Sequence, residues 1–354
     1  MRALIAQAAA PTVNHWRFVQ PAEALGLDYT LLPKDLGHTP AEHSRALAQF
    51  FAARGAEWDL LITNDHTPNG QVLIEHLKDQ GTRIVVDVDD HVDGLAPGNV
   101  AIDFWHPDRS KWYHEIIEMA DSVTVSTPWL KEQYGGTYCP NFIVPEDWQQ
   151  PPRHKRDDSV LILCAAALGR IGDYNTIEKP LRAALALPNV KVMFVAYMPE
   201  WALAYPPGKV IHSRWWSREL FPQFLRWLAP DIVVSPLEHN DFNRAKSNIK
   251  WLESAMCGAT FVGERWGELL RTVNEGETGV LAESEAEWTS SLIALCQDPT
   301  RRRVLAHNAR HDVRDGWMWP AVSKLWQEGI LDGKQCDVGR YNATNVVANS
   351  AAAG

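Results

Sequence analysis

Short runs of apolar residues alternate along most of this chain with longer stretches in which apolar positions recur every three or four residues, the patterns of buried strands and one-sided helices. Strands are expected at 2–8, 29–33, 58–63, 83–88 and 122–126, and helices at 40–54, near 69–80, at 108–120 and from Pro128 onward. A stretch with four prolines, PNFIVPEDWQQPP at 140–152, breaks this rhythm and reads as a linker. Beyond it the alternation restarts. Strands are expected at 159–166, 189–196, 209–212, 231–237 and 259–263, with helices near Pro222, Glu285 and Pro299 and an amphipathic helix at 317–330. Such alternation builds parallel sheets covered by helices. The expected class is α/β, with two Rossmann-like domains at 1–148 and 149–316, a closing helix at 317–336 and a flexible tail at 337–354.

The segment 235–263, SPLEHNDFNRAKSNIKWLESAMCGATFVG, constrains the chain most. Ala245, Ile249, Leu252 and Met256 recur at steps of four, three and four and predict a helix over 243–257, which Gly258 ends. Lys246, Lys250 and Glu253 would then share one face, with Ser247 and Asn248 in the opening turns. A helix start with free N–H groups, a hydroxyl and ammonium groups suits a phosphate, and a carboxylate one turn on suits the hydroxyls of a ribose. The same spacing also fits a solvent-facing helix with ordinary Lys/Glu pairing.

Ligands of open α/β sheets sit beyond the carboxyl ends of strands. The first strand is followed by a loop holding His15, Trp16 and Arg17, the third by Asn64-Asp65-His66, and the fourth ends in Asp87-Val88-Asp89-Asp90-His91. His15, Trp16, Arg17, Asp65, His66, Asp89 and Asp90 are therefore candidates for contacting a ligand, with His66, Asp89 and Asp90 suited to orienting a hydroxyl and taking its proton. Helix caps and turn residues give the same pattern. In the second half, the strand at 159–166 runs into Gly169-Arg170-Ile171-Gly172 and then a helix that Asp173 or Asn175 would cap.

Taken together, Pro236, a polar loop, Lys246-Ser247, Ile249-Lys250, Leu252-Glu253, Ala255, Gly258 and a following strand resemble the nucleotide-sugar segment of group 1 (family 4) glycosyltransferases. Gly276 and Gly279 in EGETGVLAE resemble that family's later Gly-x-x-Gly-x-Leu turn. The resemblance implies the GT-B fold, two Rossmann-like domains facing a cleft, with the acceptor on the first, the donor on the second and the last helix crossing back to the first. It implies that Gly169, Arg170, Asp173, Lys246, Ser247, Asn248, Lys250 and Glu253 bind the donor, with Arg170 and Lys246 neutralising the leaving diphosphate and Glu253 holding the ribose. It further implies a retaining transfer from a nucleotide-diphosphate sugar with no metal or other cofactor. The chain departs from the family pattern in places. Ala245 stands where the first of two paired carboxylates is expected, Glu238 lies earlier in a longer loop, and Asp173-Tyr174 replaces a Lys-Gly pair. A sugar-nucleotide epimerase or hydrolase of the same fold, or a non-catalytic nucleotide-binding scaffold, remain alternatives.

Composition narrows the partners. A chain of 354 residues with 45% hydrophobic residues supports two cores, and a net charge of −10 supplies no global field for nucleic acid or an anionic membrane. The acceptor classes left open are polysaccharides, proteins, small metabolites and hydroxylated bases in DNA. Five scattered cysteines without a Cys-x-x-Cys pair argue against a disulfide framework or zinc site and fit a cytoplasmic protein. Asp87-Val88-Asp89 spells a metal-binding Asp-x-Asp, but it lies far in sequence from the donor segment. No apolar run approaches the ~18 residues of a membrane span.

Overall fold

The computed structural model describes residues 1–6, 15–33, 36, 40–55, 57–95, 108–148, 158–166, 170–217 and 220–333. Gly169, most of the 94–107 loop, the end of the proline-rich stretch and the tail from Asp337 lie outside the described residues. Contacts gather the described chain into one unit of residues 1–93, 108–141 and 322–333 and another centred on 142–321.

Each unit is built on a six-stranded, fully parallel sheet. In the first, β1 (Arg2–Ala6), β2 (Asp28–Leu31), β3 (Leu60–Thr63), β4 (Arg83–Val88), β5 (Ser122–Val125) and β6 (Thr137–Tyr138) lie in the order β2-β1-β3-β4-β5-β6. In the second, β7 (Val160–Ala166), β8 (Val190–Ala196), β9 (Val210–Ser213), β10 (Ile232–Ser235), β11 (Thr260–Glu264) and β12 (Val280–Ala282) lie in the order β12-β11-β10-β7-β8-β9. The central strands read as unbroken apolar runs because both of their faces are covered: Leu4, Ile5, Leu60 and Leu61 in one sheet and Ile162, Cys164, Ile232 and Val234 in the other are buried. The direction of growth reverses once in each sheet, between β1 and β3 and between β7 and β10. At such a point the connections leave on opposite faces and open a crevice at the carboxyl ends of the strands.

Local signals set many boundaries. The strand at 83–88 and the helix Pro40–Arg54 have the expected bounds. Thr67 and Thr127 each cap a helix whose first residue is a proline, their hydroxyls accepting the N–H groups of Gly70 and Leu130. Gly258 ends its helix in the left-handed conformation, as expected. The helix expected at 317–330 starts later, at Trp319, and widens into a π-turn at Gln327–Asp332. Among the described residues, no helix is long and apolar enough to cross a membrane.

Two residues expected to touch an acceptor instead hold the first unit together. Trp16 is buried, and Arg17 is 1% exposed. Arg17 Nε and Nη2 donate to the two carboxylate oxygens of Asp87 at 3.0 and 2.6 Å, and Nη1 donates to the Cys139 carbonyl at 2.6 Å and to Asn141 Oδ1 at 3.3 Å. The guanidinium lies 4.7 Å over the ring of Trp326, whose indole N–H donates to the Pro140 carbonyl at 3.0 Å. Thr124 adds a hydroxyl to Asp87 at 2.6 Å. Burial by itself would lower the Arg17 pKa, but Asp87 outweighs it and the net shift is upward, so the charge persists. Asp87 is thereby committed to the interior and is not presented as half of an Asp-x-Asp pair.

Replacing Arg17 by Met leaves the Asp87 charge buried and uncompensated, an expected loss of about 3–5 kcal/mol in denaturant-induced unfolding. The double variant Arg17→Met/Asp87→Leu should be more stable than the single one. If the two losses simply add, the pair is not coupled.

Candidate functional site

At the β7/β10 switch point, one carboxylate stitches two loops together. Asp173, 2% exposed, accepts the Glu238 N–H at 2.9 Å and the Asn243 side-chain amide at 2.6 Å through one oxygen, while the other pairs with Arg170 Nε. Arg170 Nη2 donates to the Pro236 carbonyl at 2.9 Å, and the Tyr174 hydroxyl bridges the carbonyls of Ala165 and Val234 at 3.1 and 3.2 Å. Asp173, expected to contact a ligand or cap a helix, is thus spent inside the fold. The helix begins at Ile171 with no side-chain cap, breaks at Ile177 and resumes as Glu178–Leu185. Arg170 sits at the crevice with two of its nitrogens engaged by the protein.

The helix expected over 243–257 is two pieces, Asp241–Arg244 and Ile249–Cys257. Short polar side chains explain the break. Asn240 Oδ1 accepts the Asn243 N–H at 2.9 Å and starts the first piece, and Asn248 takes the N-cap position of the second. Lys246 and Ser247 therefore precede the second helix instead of riding on it. Lys246 Nζ lies 3.8 Å over the Phe242 ring. Lys250 Nζ lies 3.0 Å from Glu253 Oε2, and Glu253 is 6% exposed. Asn248 is 2% exposed, its side chain makes no cap bond, and its Nδ2 has no hydrogen-bond partner. A buried amide donor without an acceptor, beside the unsatisfied N–H groups of a nine-residue helix and near two lysines in sequence, makes a seat for an anion.

At the carboxyl edge of the first sheet, Asp65 accepts the Thr67 hydroxyl at 2.6 Å, and its own N–H donates to Thr63 Oγ1 at 2.9 Å. The helix Pro68–Lys78 starts so close to this turn that a Cβ on Gly70 would fall 2.0 Å from the Asp65 carbonyl oxygen, which accounts for the glycine. The His66 ring lies tilted against Tyr113 with centroids 3.9 Å apart. The Tyr113 hydroxyl donates to the Asp90 carbonyl at 2.7 Å, and the Ser126 hydroxyl donates to that of Asp89 at 3.4 Å. Tyr134, 5.6 Å from Tyr113, has its hydroxyl 2.7 Å from His91 Nδ1. His15 is half-buried in a π-turn, His15–Val19.

His66 Nδ1 is buried without a partner. Burial pushes the imidazole down to about 3, against the opposing effect of a hydrogen bond to the Asp87 backbone. A base this weak accepts a hydrogen bond but does not retain a proton at neutral pH, so the fold does not suit His66 to the proton uptake expected of it.

Residues 179–326 match the family model described as Glycosyl transferase-like. Over this stretch the chain is similar to glycosyltransferases. It is similar to the D-inositol 3-phosphate glycosyltransferases of Corynebacterium kroppenstedtii, 29% identical over 120 residues, and of an Arthrobacter species, 32% identical over 108 residues. These matches take in 32% and 29% of the chain and span 26% and 24% of the relatives' own length. Among solved structures, HepE of Anabaena in complex with UDP-glucose superposes with a TM-score of 0.64 at 13% identity, covering 93% of this chain and 98% of that one. WaaG, a glycosyltransferase involved in lipopolysaccharide biosynthesis, gives 0.61 at 14% identity, with 93% and 99% covered. The shared fold is GT-B.

The matched stretch includes Glu238 through Glu253 and begins after Arg170 and Asp173. Ala245, at the place of the missing first carboxylate, is fully buried. No motif marks Asn243 or Tyr113, although the Asn240/Asn243 spacing is that of a side-chain helix cap.

His66 makes a pH prediction. Its ordinary pKa of 6.5 applies to the unfolded chain and about 3 to the fold, so the unfolded state binds the extra proton as the pH falls. The stability associated with a neutral His66 is complete above about pH 6.5 and is lost toward pH 3, at up to about 1.4 kcal/mol per pH unit. His66→Asn should flatten the acid limb of unfolding free energy between about pH 6.5 and 4. Parallel wild-type and variant curves would show that the ring is not held neutral.

Proposed function

We propose that the protein transfers a sugar from a nucleoside diphosphate carrier to a hydroxyl acceptor, with retention of configuration and without a metal ion. The observation that carries this reading is the unpartnered, buried Nδ2 of Asn248 at the start of the Ile249–Cys257 helix. A diphosphate supplies the acceptor oxygens that this donor and the first helical N–H groups lack. Lys246, Lys250 and Arg170 bring positive charge to the region where a departing diphosphate gains negative charge, which is where electrostatic stabilisation lowers the barrier. Glu253, farther along the same helix, carries a carboxylate suited to the two hydroxyls of a ribose. The reading is supported by the family match and by a fold shared with HepE, whose structures contain UDP and UDP-glucose.

The first unit supplies the acceptor side. Asp89, Asp90 and His66 Nδ1 are hydrogen-bond acceptors, a set that suits hydroxyl groups, and Asp89 or Asp90 takes up the proton released on transfer. Sugars, polyols and hydroxylated bases all present the required group.

Titration calorimetry with UDP, GDP and ADP tests the nucleotide seat. Glu253→Ala should weaken the preferred nucleotide by about 1.5–3 kcal/mol, the value of a hydrogen bond to a charged group, and Asn248→Asp should weaken it further by placing a carboxylate against the phosphates. Lys246→Ala should lower kcat more than donor affinity, because the diphosphate charge develops in the transition state. Wild-type affinity in folded Glu253→Ala and Asn248→Asp variants would place the nucleotide elsewhere.

A further inference from the structure

In the second unit the helices Phe221–Leu228 and Pro299–Gly316 both pack against Ile249–Cys257, and three buried donors around them lack acceptors. Arg226, on the first of these helices, is 8% exposed, yet its Nε has no hydrogen-bond partner. Its Nη1 donates to the Asp147 carbonyl at 3.2 Å. That carbonyl belongs to the short helical turn Pro145–Trp148, which packs on the same helix, and the indole N–H of buried Trp148 is also unpartnered. The third donor is Nε of Arg310, from the helix Pro299–Gly316. Burial lowers the Arg310 pKa, and the nearby charges of Arg314 and Arg226 lower it further. Among the described residues no carboxylate is paired with Arg226 or Arg310.

A guanidinium withdrawn from water without a counter-charge is costly, and two close enough to repel one another are costlier. An anion is what this cluster lacks. The donors come from three separate elements, which suits a tetrahedral oxyanion with several acceptor oxygens better than a planar carboxylate. A phosphoryl dianion also balances two cations, where a carboxylate balances one. We propose that Trp148, Arg226 and Arg310 form an anion site that takes a phosphoryl group, free or carried on a small metabolite. Arg310 is half-buried and Arg314 is exposed, so the cluster is open to solvent. The site is distinct from the seat at Asn248: Arg310 lies within electrostatic reach of Cys257, at the far end of the nine-residue helix that Asn248 begins, about 13 Å away by helical rise. An anion held there ties the turn at Trp148 to both helices and so stabilises the folded state.

The test titrates inorganic phosphate and glycerol 3-phosphate, with sodium acetate at matched ionic strength as the comparison, into wild type and into Arg310→Met, Trp148→Phe and Asn248→Asp variants. Melting temperature and calorimetric affinity are the readouts. The expected result in wild type is saturable binding and a raised melting temperature with a phosphoryl probe and not with acetate. Affinity should fall about tenfold or more in Arg310→Met and severalfold in Trp148→Phe, which keeps the ring but not the N–H, and should stay within about twofold of wild type in Asn248→Asp. Tighter binding of glycerol 3-phosphate than of phosphate supports the site and names a phosphorylated metabolite as the source, and the reverse supports it with free phosphate as the source. Absence of saturable binding of both probes to wild type overturns the proposal, as does stabilisation by acetate equal to that by phosphate. Wild-type phosphate affinity in folded Arg310→Met and Trp148→Phe overturns it as well. Phosphate binding lost in Asn248→Asp but kept in Arg310→Met places the anion at the helix start and overturns this site while leaving the nucleotide seat standing.

Discussion

The buried carboxylate of Asp173 is the constraint on which the candidate site depends. An ionised group withdrawn from water is tolerable only when donors replace its hydration, and three meet here: the Arg170 guanidinium, the Glu238 N–H and the Asn243 amide. Those donors belong to loops leaving two neighbouring strands, so satisfying one charge also fixes the relative placement of both loops. The arrangement positions Arg170 at the crevice, locks the backbone of Glu238, and anchors the segment that leads through Asn248 into the Ile249–Cys257 helix.

The first unit solves a similar problem with different residues. Arg17 and Asp87 neutralise one another in the interior, and Thr124, Asn141 and the Cys139 carbonyl occupy much of their remaining hydrogen-bonding capacity. The cost of removing two charges from water is offset by bidentate geometry and by the Trp326 ring beneath the guanidinium. Trp326 comes from the last described helix, so residues 322–333 complete the first unit's core.

In both units, then, an arginine and an aspartate that look like ligand contacts are largely consumed by the fold. Among the described residues, the buried side-chain atoms without a hydrogen-bond partner include Asn248 Nδ2 and His66 Nδ1. Buried polar atoms are nearly always satisfied, so these two are exceptions that the fold itself does not explain. Their characters differ. A donor at a helix start suits phosphate. The neutral imidazole offers an acceptor to an incoming hydroxyl.

Periodicity and turn chemistry determined the alternation of strands and helices, the parallel sheets, the threonine–proline helix starts and the stop at Gly258, because each depends on residues within a turn or two of one another. In the segment around Lys246, Asn248 and Glu253 the same local signals determined the helix Ile249–Cys257. Tertiary structure decided which charges are buried. Arg17 and Asp87 are 70 positions apart, as are Asp173 and Asn243, and nothing local to either partner reveals the other. It also decided the neutral state of His66, which follows from its burial, and the break at 245–248, where the Asp173–Asn243 contact and the Asn240 cap override a continuous apolar period. Local spacing sets which conformations a segment favours, while the cost of burying charge, paid only when distant strands and loops come together, sets which polar residues remain to meet a ligand.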